Sequence, residues 1–191
     1  LVAVAFCIAL IYSCSICTLT IITFLIVENT SNVFFTTVSG GFNNTTDGEG
    51  SVVGGGSNNT SGCNTGLNNY TTIGGGFCNT TFGGASFIGG GQQNTSSGYN
   101  STVSGGYKNT SSGSYSTVGG GFGNTACSQY SFIGGGFSNT PNGFASTISG
   151  GFSNTSSACY SFVGGGCANT IDSITASSSY CVFGSSIGGG S

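Results

Sequence analysis

The sequence predicts an all-β chain, a Gly-rich parallel β-solenoid of about fifteen residues per coil, preceded by an apolar N-terminal α-helix. Three observations predict it: a fifteen-residue repeat from residue 36 onward, a branched apolar residue followed by a glycine pair in each copy, and an uncharged apolar run over residues 1–27. They divide the chain into an anchor or assembly-core helix (1–27), a linker (28–35) and a β-solenoid repeat domain (36–191).

The clearest copies read STVSGGYKNTSSGSY (101–115), STVGGGFGNTACSQY (116–130), SFIGGGFSNTPNGFA (131–145) and STISGGFSNTSSACY (146–160). Earlier copies begin at Thr36, Ser51, Thr71 and Ser86, and the one at Ser51 carries five extra residues, placed at Gly66 to Tyr70. A shifted copy, SSIGGGS, follows an irregular stretch from Ser173 to Phe183.

Within the repeat, Val38, Val53, Ile73, Ile88, Val103, Val118, Ile133, Ile148 and Val163 occupy one position, with a Gly pair two and three residues on. Val and Ile favour strands and Gly pairs permit angles that other residues resist, so each unit is a short strand entering a tight corner. Neighbours in a strand face opposite sides. The Ser that commonly stands two before the Val or Ile therefore shares its inner face, while Thr117, Phe132 and Phe162 look out. A second position is usually aromatic (Phe42, Phe77, Tyr107, Phe122, Phe137, Phe152), with Ser57, Gln92 and Cys167 as exceptions. Two residues later comes an invariant Asn: Asn44, Asn59, Asn79, Asn94, Asn109, Asn124, Asn139, Asn154 and Asn169, each followed by Thr.

Coils stacked about 4.8 Å apart place these residues in vertical columns, and about ten coils make a rod on the order of 50 Å long. An Asn in every coil can bond its own turn and the Asn above, and the aromatic column is expected to supply most of the buried area. One coil cannot bury a core alone, so stability comes from neighbour on neighbour, with the ends protected by the linker and by residues 172–183. The outward Phe87, Phe132 and Phe162 are expected contacts for lateral association.

Only 3% of residues are charged: Glu28, Asp47, Glu49, Lys108 and Asp172, with no Arg or His. General acid–base catalysis needs a side chain that titrates near the working pH, and an activated Ser or Cys needs a neighbouring base. The sequence therefore predicts no enzyme and no catalytic residues. Phosphate recognition rests on Lys and Arg, so a single lysine also argues against nucleic acid. No Gly-Lys-Ser/Thr follows any glycine triplet, and Asp does not recur in the repeat, so no phosphate loop, cofactor or metal site is expected.

Residues 1–27 would make roughly 40 Å of helix, enough to span a bilayer. A helix buried in a filament core, as in pilin-like subunits, is the rival reading. The start at Leu1 suits a processed or incomplete N-terminus. Of nine cysteines, Cys7, Cys14 and Cys17 lie in this segment; Cys63, Cys78, Cys127, Cys159, Cys167 and Cys181 fall at unlike repeat positions, which argues against a ladder of disulfides and leaves individual pairs open. Asn-x-Ser/Thr sequons abound, but an Asn locked in an internal column cannot carry a sugar. Asn29, Asn69 and Asn100 lie off that column and are the candidate glycosylation sites in a secretory host.

The recurring Ser-Thr-Val/Ile-Ser/Gly-Gly-Gly-aromatic-x-Asn-Thr-x-Ser-Gly-x-Tyr strings, best seen at 101–115 and 146–160, resemble head-domain repeats of trimeric autotransporter adhesins and related repeat proteins of large DNA viruses. The resemblance covers about three quarters of the chain. It implies a left-handed parallel β-roll, a homotrimer, and a surface or adhesive role. The bacterial members carry a C-terminal membrane barrel after a coiled-coil stalk. Residues 36–191 contain neither, which shifts the expectation from bacterial autotransport to a virion component or other surface fibre held by its N-terminal side. The expected function is a non-enzymatic, N-terminally membrane-anchored structural protein, a spike, fibre or minor capsid element of a virion or cell surface. Its expected partners are its own copies, other structural proteins, and a membrane or apolar assembly core around residues 1–27. The alternatives are a surface adhesin for host glycan or protein and a pilin-like filament subunit.

Overall fold

Every strand among the described residues is two residues long, too short to stand alone, and each lies against the equivalent segment one coil away. The computed structural model describes residues 28–31, 35–62, 70–172 and 184–190. The expected helix of residues 1–27 lies outside the described residues, as do Asn69 and the stretch 173–183. Among the described residues there is no helix, and so none long and apolar enough to cross a membrane.

The backbone is a parallel β-solenoid built from three ladders. The first is a ten-stranded sheet from Thr37–Val38 to Ser186–Ile187, in which Thr102 pairs with Thr117 and Val103 with Val118, one coil of fifteen residues apart. The second is formed by the Asn-Thr segments: a seven-stranded sheet from Thr30–Ser31 to Thr125–Ala126, and a three-stranded sheet of Thr140–Pro141, Thr155–Ser156 and Thr170–Ile171. The third is a column of single bridges, Phe42 to Ser57 to Phe77 and so on to Cys167.

Two departures from the period are absorbed at one corner. Val53 pairs with Ile73, twenty residues on, while the spacing from Ser51 back through Val38 is regular; the extra residues therefore sit between Ser61 and Thr71. That corner recloses through hydroxyls, with Ser61 Oγ and Ser51 Oγ each 2.8 Å from Thr71 Oγ1. At the far end Val163 pairs with Ile187, so the last strand rejoins the first ladder after the longer excursion. The second ladder divides next to Pro141, which has no amide hydrogen to complete the rung; the bond from Thr125 N to Asn139 O at 3.0 Å still bridges the gap.

The fold begins earlier than the sequence predicts. Residues 28–35 were expected as a linker from the anchor, yet Thr30–Ser31 already pairs with Thr45–Thr46. The Val-and-glycine signature is missing there, and the Asn-Thr signature alone, Asn29-Thr30, carries the rung.

The interior is half apolar and half polar. Val53, Ile73, Ile88, Val103, Val118, Ile133, Ile148 and Val163 have no solvent exposure, whereas Val38 and Ile187, at the two ends of the column, are only partly buried. Burying each such side chain stabilises the rod by about 1.5–3 kcal/mol, and the gradient at the ends shows that the cover is the next coil. Facing this column are Ser, Thr and Asn, buried along the rod and only partly so at its ends, at Asn29 and Asn169.

One glycine of each corner is required on two counts. Gly121 and Gly136 have φ near +88° and +89°, and a Cβ on Gly136 would lie 2.2 Å from the carbonyl oxygen of Gly151 in the next coil. The glycine therefore supplies both the left-handed angle and the close approach of successive coils.

Candidate functional surface

The Asn column is the most connected feature of the molecule. Asn124 shows the pattern: its Nδ2 donates to Gly120 O at 2.9 Å within its own turn, to Gly136 O at 2.9 Å in the following coil, and to Asn109 Oδ1 at 3.1 Å. Its Oδ1 accepts from the backbone N and Nδ2 of Asn139, at 2.9 and 3.1 Å. The same arrangement runs through Asn44, Asn59, Asn79, Asn94, Asn109, Asn139, Asn154 and Asn169. All but Asn169, beside the end coil, are fully buried. Every hydrogen and lone pair of the amide has a use, so the ladder satisfies the polar groups that the glycine corner would otherwise bury unpaired.

Asn29, expected off this column as a glycosylation candidate, is instead its first rung: its Oδ1 accepts from Asn44 N at 2.9 Å and its Nδ2 donates to Gly41 O at 3.2 Å. Asn100 lies off the column at a corner, half-buried with φ of +52°. Asn69 lies outside the described residues.

The aromatic column is also displaced from its expected place. Phe42, Phe77, Phe122, Phe137 and Phe152 are 40–49% exposed, so they coat the rod rather than fill it. The residue between the aromatic and the Asn explains this. Asn43, Ser138 and Ser153 hold φ of +51°, +53° and +51°. A left-handed residue interrupts the alternation of faces, so side chains two apart point to opposite sides. Tyr107, Phe122, Phe137 and Phe152 form an outer stack with centroids 5.1, 4.8 and 5.0 Å apart, and the Lys108 ammonium sits 5.0 Å over the Tyr107 ring.

Two further features follow from the coil geometry. The residue after each Asn-Thr (Thr46, Ser61, Thr81, Ser96, Ser111, Ala126, Pro141, Ser156, Ile171) points inward and is buried. Ser96 and Ser111 meet the hydroxyls of Ser101 and Ser116 at 2.6 Å. Its run of small residues in the sequence is the signal that could have exposed the second ladder. Aromatic residues at the last two positions of the repeats form another outer stack, Tyr99, Tyr115, Tyr130, Phe144 and Tyr160, with centroids 5.8, 5.1, 5.5 and 5.5 Å apart. Phe87, Phe132 and Phe162 stand outward on the first ladder, each more than 40% exposed.

The rod thus offers solvent two aromatic ridges, three separate phenylalanines on the first ladder and almost no charge. Phe122 over Phe137 is inclined by 5° and Tyr115 over Tyr130 by 11°, so ring faces cover one another and ring edges face outward. Such edges suit packing against another apolar surface better than face-on stacking of a sugar.

Among the described residues no three His, Cys, Asp or Glu come together in a metal-holding group. Asp47 and Glu49 share a corner, and Lys108 and Asp172 are exposed on other coils. Cys159 is disulfide-bonded, while Cys78, Cys127 and Cys167 carry free thiols. No protein-family model matches this chain, and no curated protein matches it.

Proposed function

We propose that this protein is a non-enzymatic structural rod, a spike, fibre or minor capsid element of a virion or cell surface. Residues 1–27 form an apolar helix that holds it to a membrane or an assembly core, and the coil is left-handed. The observation that supports this reading most is the division of labour within the repeat. Each position that recurs inside the coil builds the rod, and the positions that recur outside it form uncharged aromatic ridges. Parallel ridges on a thin rod favour association of copies side by side, and a homotrimer is the proposed assembly.

Sedimentation of the full chain in mild detergent tests this reading. A trimer is expected, with the triple variant Phe122→Ser, Phe137→Ser and Phe152→Ser sedimenting as a monomer while keeping its β-sheet circular dichroism. A wild-type chain that stays monomeric at tens of micromolar would contradict the assembly.

A further inference from the structure

Six fully buried rungs of the ladder are also N-glycosylation sequons, as is its half-buried first rung, Asn29. Asn44, Asn59, Asn79, Asn94, Asn109 and Asn154 are each followed by Thr and then by Thr or Ser. All six are 0% exposed. In each, Nδ2 donates to carbonyl oxygens of two glycines; for Asn109 these are Gly105 at 3.0 Å and Gly121 at 2.9 Å. N-glycosylation acts on this same nitrogen: Nδ2 loses one hydrogen and bonds to the sugar's C1, the C1–O bond to a lipid pyrophosphate carrier breaks, and the pyrophosphate leaves with the electron pair. The product has one hydrogen where the ladder needs two, and a bulky sugar where the next coil lies.

We infer that glycosylation of the Asn column and folding of the repeat domain exclude each other, so that the domain folds in a compartment without a lipid-linked oligosaccharide donor. Glycan transfer in such a lumen acts on chains as they emerge, before a solenoid has stacked. A chain threaded through it would acquire sugars at positions the coil must later close over. The inference goes beyond the proposed assembly and does not rest on it: it stands on the burial of the six asparagines.

The fold supplies its own control. At the third sequon position the rung of Asn124 carries Ala126, fully buried. There the facing Ser131 hydroxyl keeps a partner by donating to Ser128 O at 2.6 Å, the bond that Ser116 and Ser161 also make to Gly113 O and Ala158 O. Alanine is therefore accommodated at this position, and the variant S31A/T46A/S61A/T81A/S96A/S111A/S156A removes the six buried sequons and that of Asn29 while leaving every Asn in place.

The test expresses the full chain in the cytosol and, behind a cleavable secretion signal, in a glycosylating lumen. It reads site occupancy by mass spectrometry after endoglycosidase and folding by protease resistance. The wild type is expected to be resistant from the cytosol, and occupied and protease-sensitive from the lumen. Resistance in the lumen should return either in this sequon-free-ladder variant or in the wild type when synthesis of the lipid-linked donor is inhibited, an arm that needs no substitution. A lumenal wild-type chain that is protease-resistant, whether its column is occupied or bare, would overturn the inference. So would a wild type that stays sensitive in the lumen after the donor is withdrawn.

Discussion

The Asn column and the aromatic column recur with the same period, two residues apart, yet one lies at the centre of the rod and the other on its surface. Asn139 is fully buried and Phe137 is 40% exposed. Polarity alone predicts the reverse. What decides is backbone geometry: the left-handed residue between them turns the Asn inward, where its amide completes the hydrogen bonding of a glycine corner that has no side chains to do so. Periodicity shows that residues stack, and the local backbone shows on which side.

This contrast can be broken at its strongest point first. Gly136→Ala puts a Cβ 2.2 Å from Gly151 O at a φ of +89°, so two coils must part; stability in urea is expected to fall by about 3 kcal/mol or more, with fraying detected by hydrogen exchange on both flanks. Asn124→Ala leaves Gly120 O, Gly136 O and Asn139 N short of partners and is expected to cost about 2–4 kcal/mol, with a smaller loss for Asn169→Ala, which supports no further Asn among the described residues. Ile133→Val, within the closed apolar column, should cost about 0.5–1.5 kcal/mol by the same denaturation. Phe137→Ser, on the outer ridge, should change the stability of the isolated rod by about 1 kcal/mol or less; a loss matching that of Asn124→Ala would return the aromatic column to the core. Pro141→Ser restores one amide donor and relaxes the unfolded chain, opposing effects of about 1 kcal/mol each, so stability should hardly move while the new amide at 141 becomes protected from exchange.

Much of the coil was legible in the sequence because stacking makes one coil the template for the next. The Val and Ile column, its inward Ser neighbours and the Asn ladder follow from spacing and residue type. The second ladder was harder to see. Thr45–Thr46 and its equivalents are polar on both faces, so no alternation of apolar and polar residues marks them as strands. The first rung at Asn29 was missed for a related reason: it carries only the Asn-Thr half of the motif. The exposure of the aromatics depended on a left-handed residue that is variously Asn, Gln, Lys, Ser, Ala, Cys and Gly, a position with no shared chemistry to announce it.

The claim on which the account depends is that the recurring asparagines are closed inside successive coils. Residue-resolved exchange of side-chain amide hydrogens measures this directly. Nδ2 of Asn59, Asn79, Asn94, Asn109, Asn124, Asn139 and Asn154 should exchange orders of magnitude more slowly than Nδ2 of Asn100, which lies off the column. Exchange of the seven at the rate of Asn100 would show that the ladder does not form.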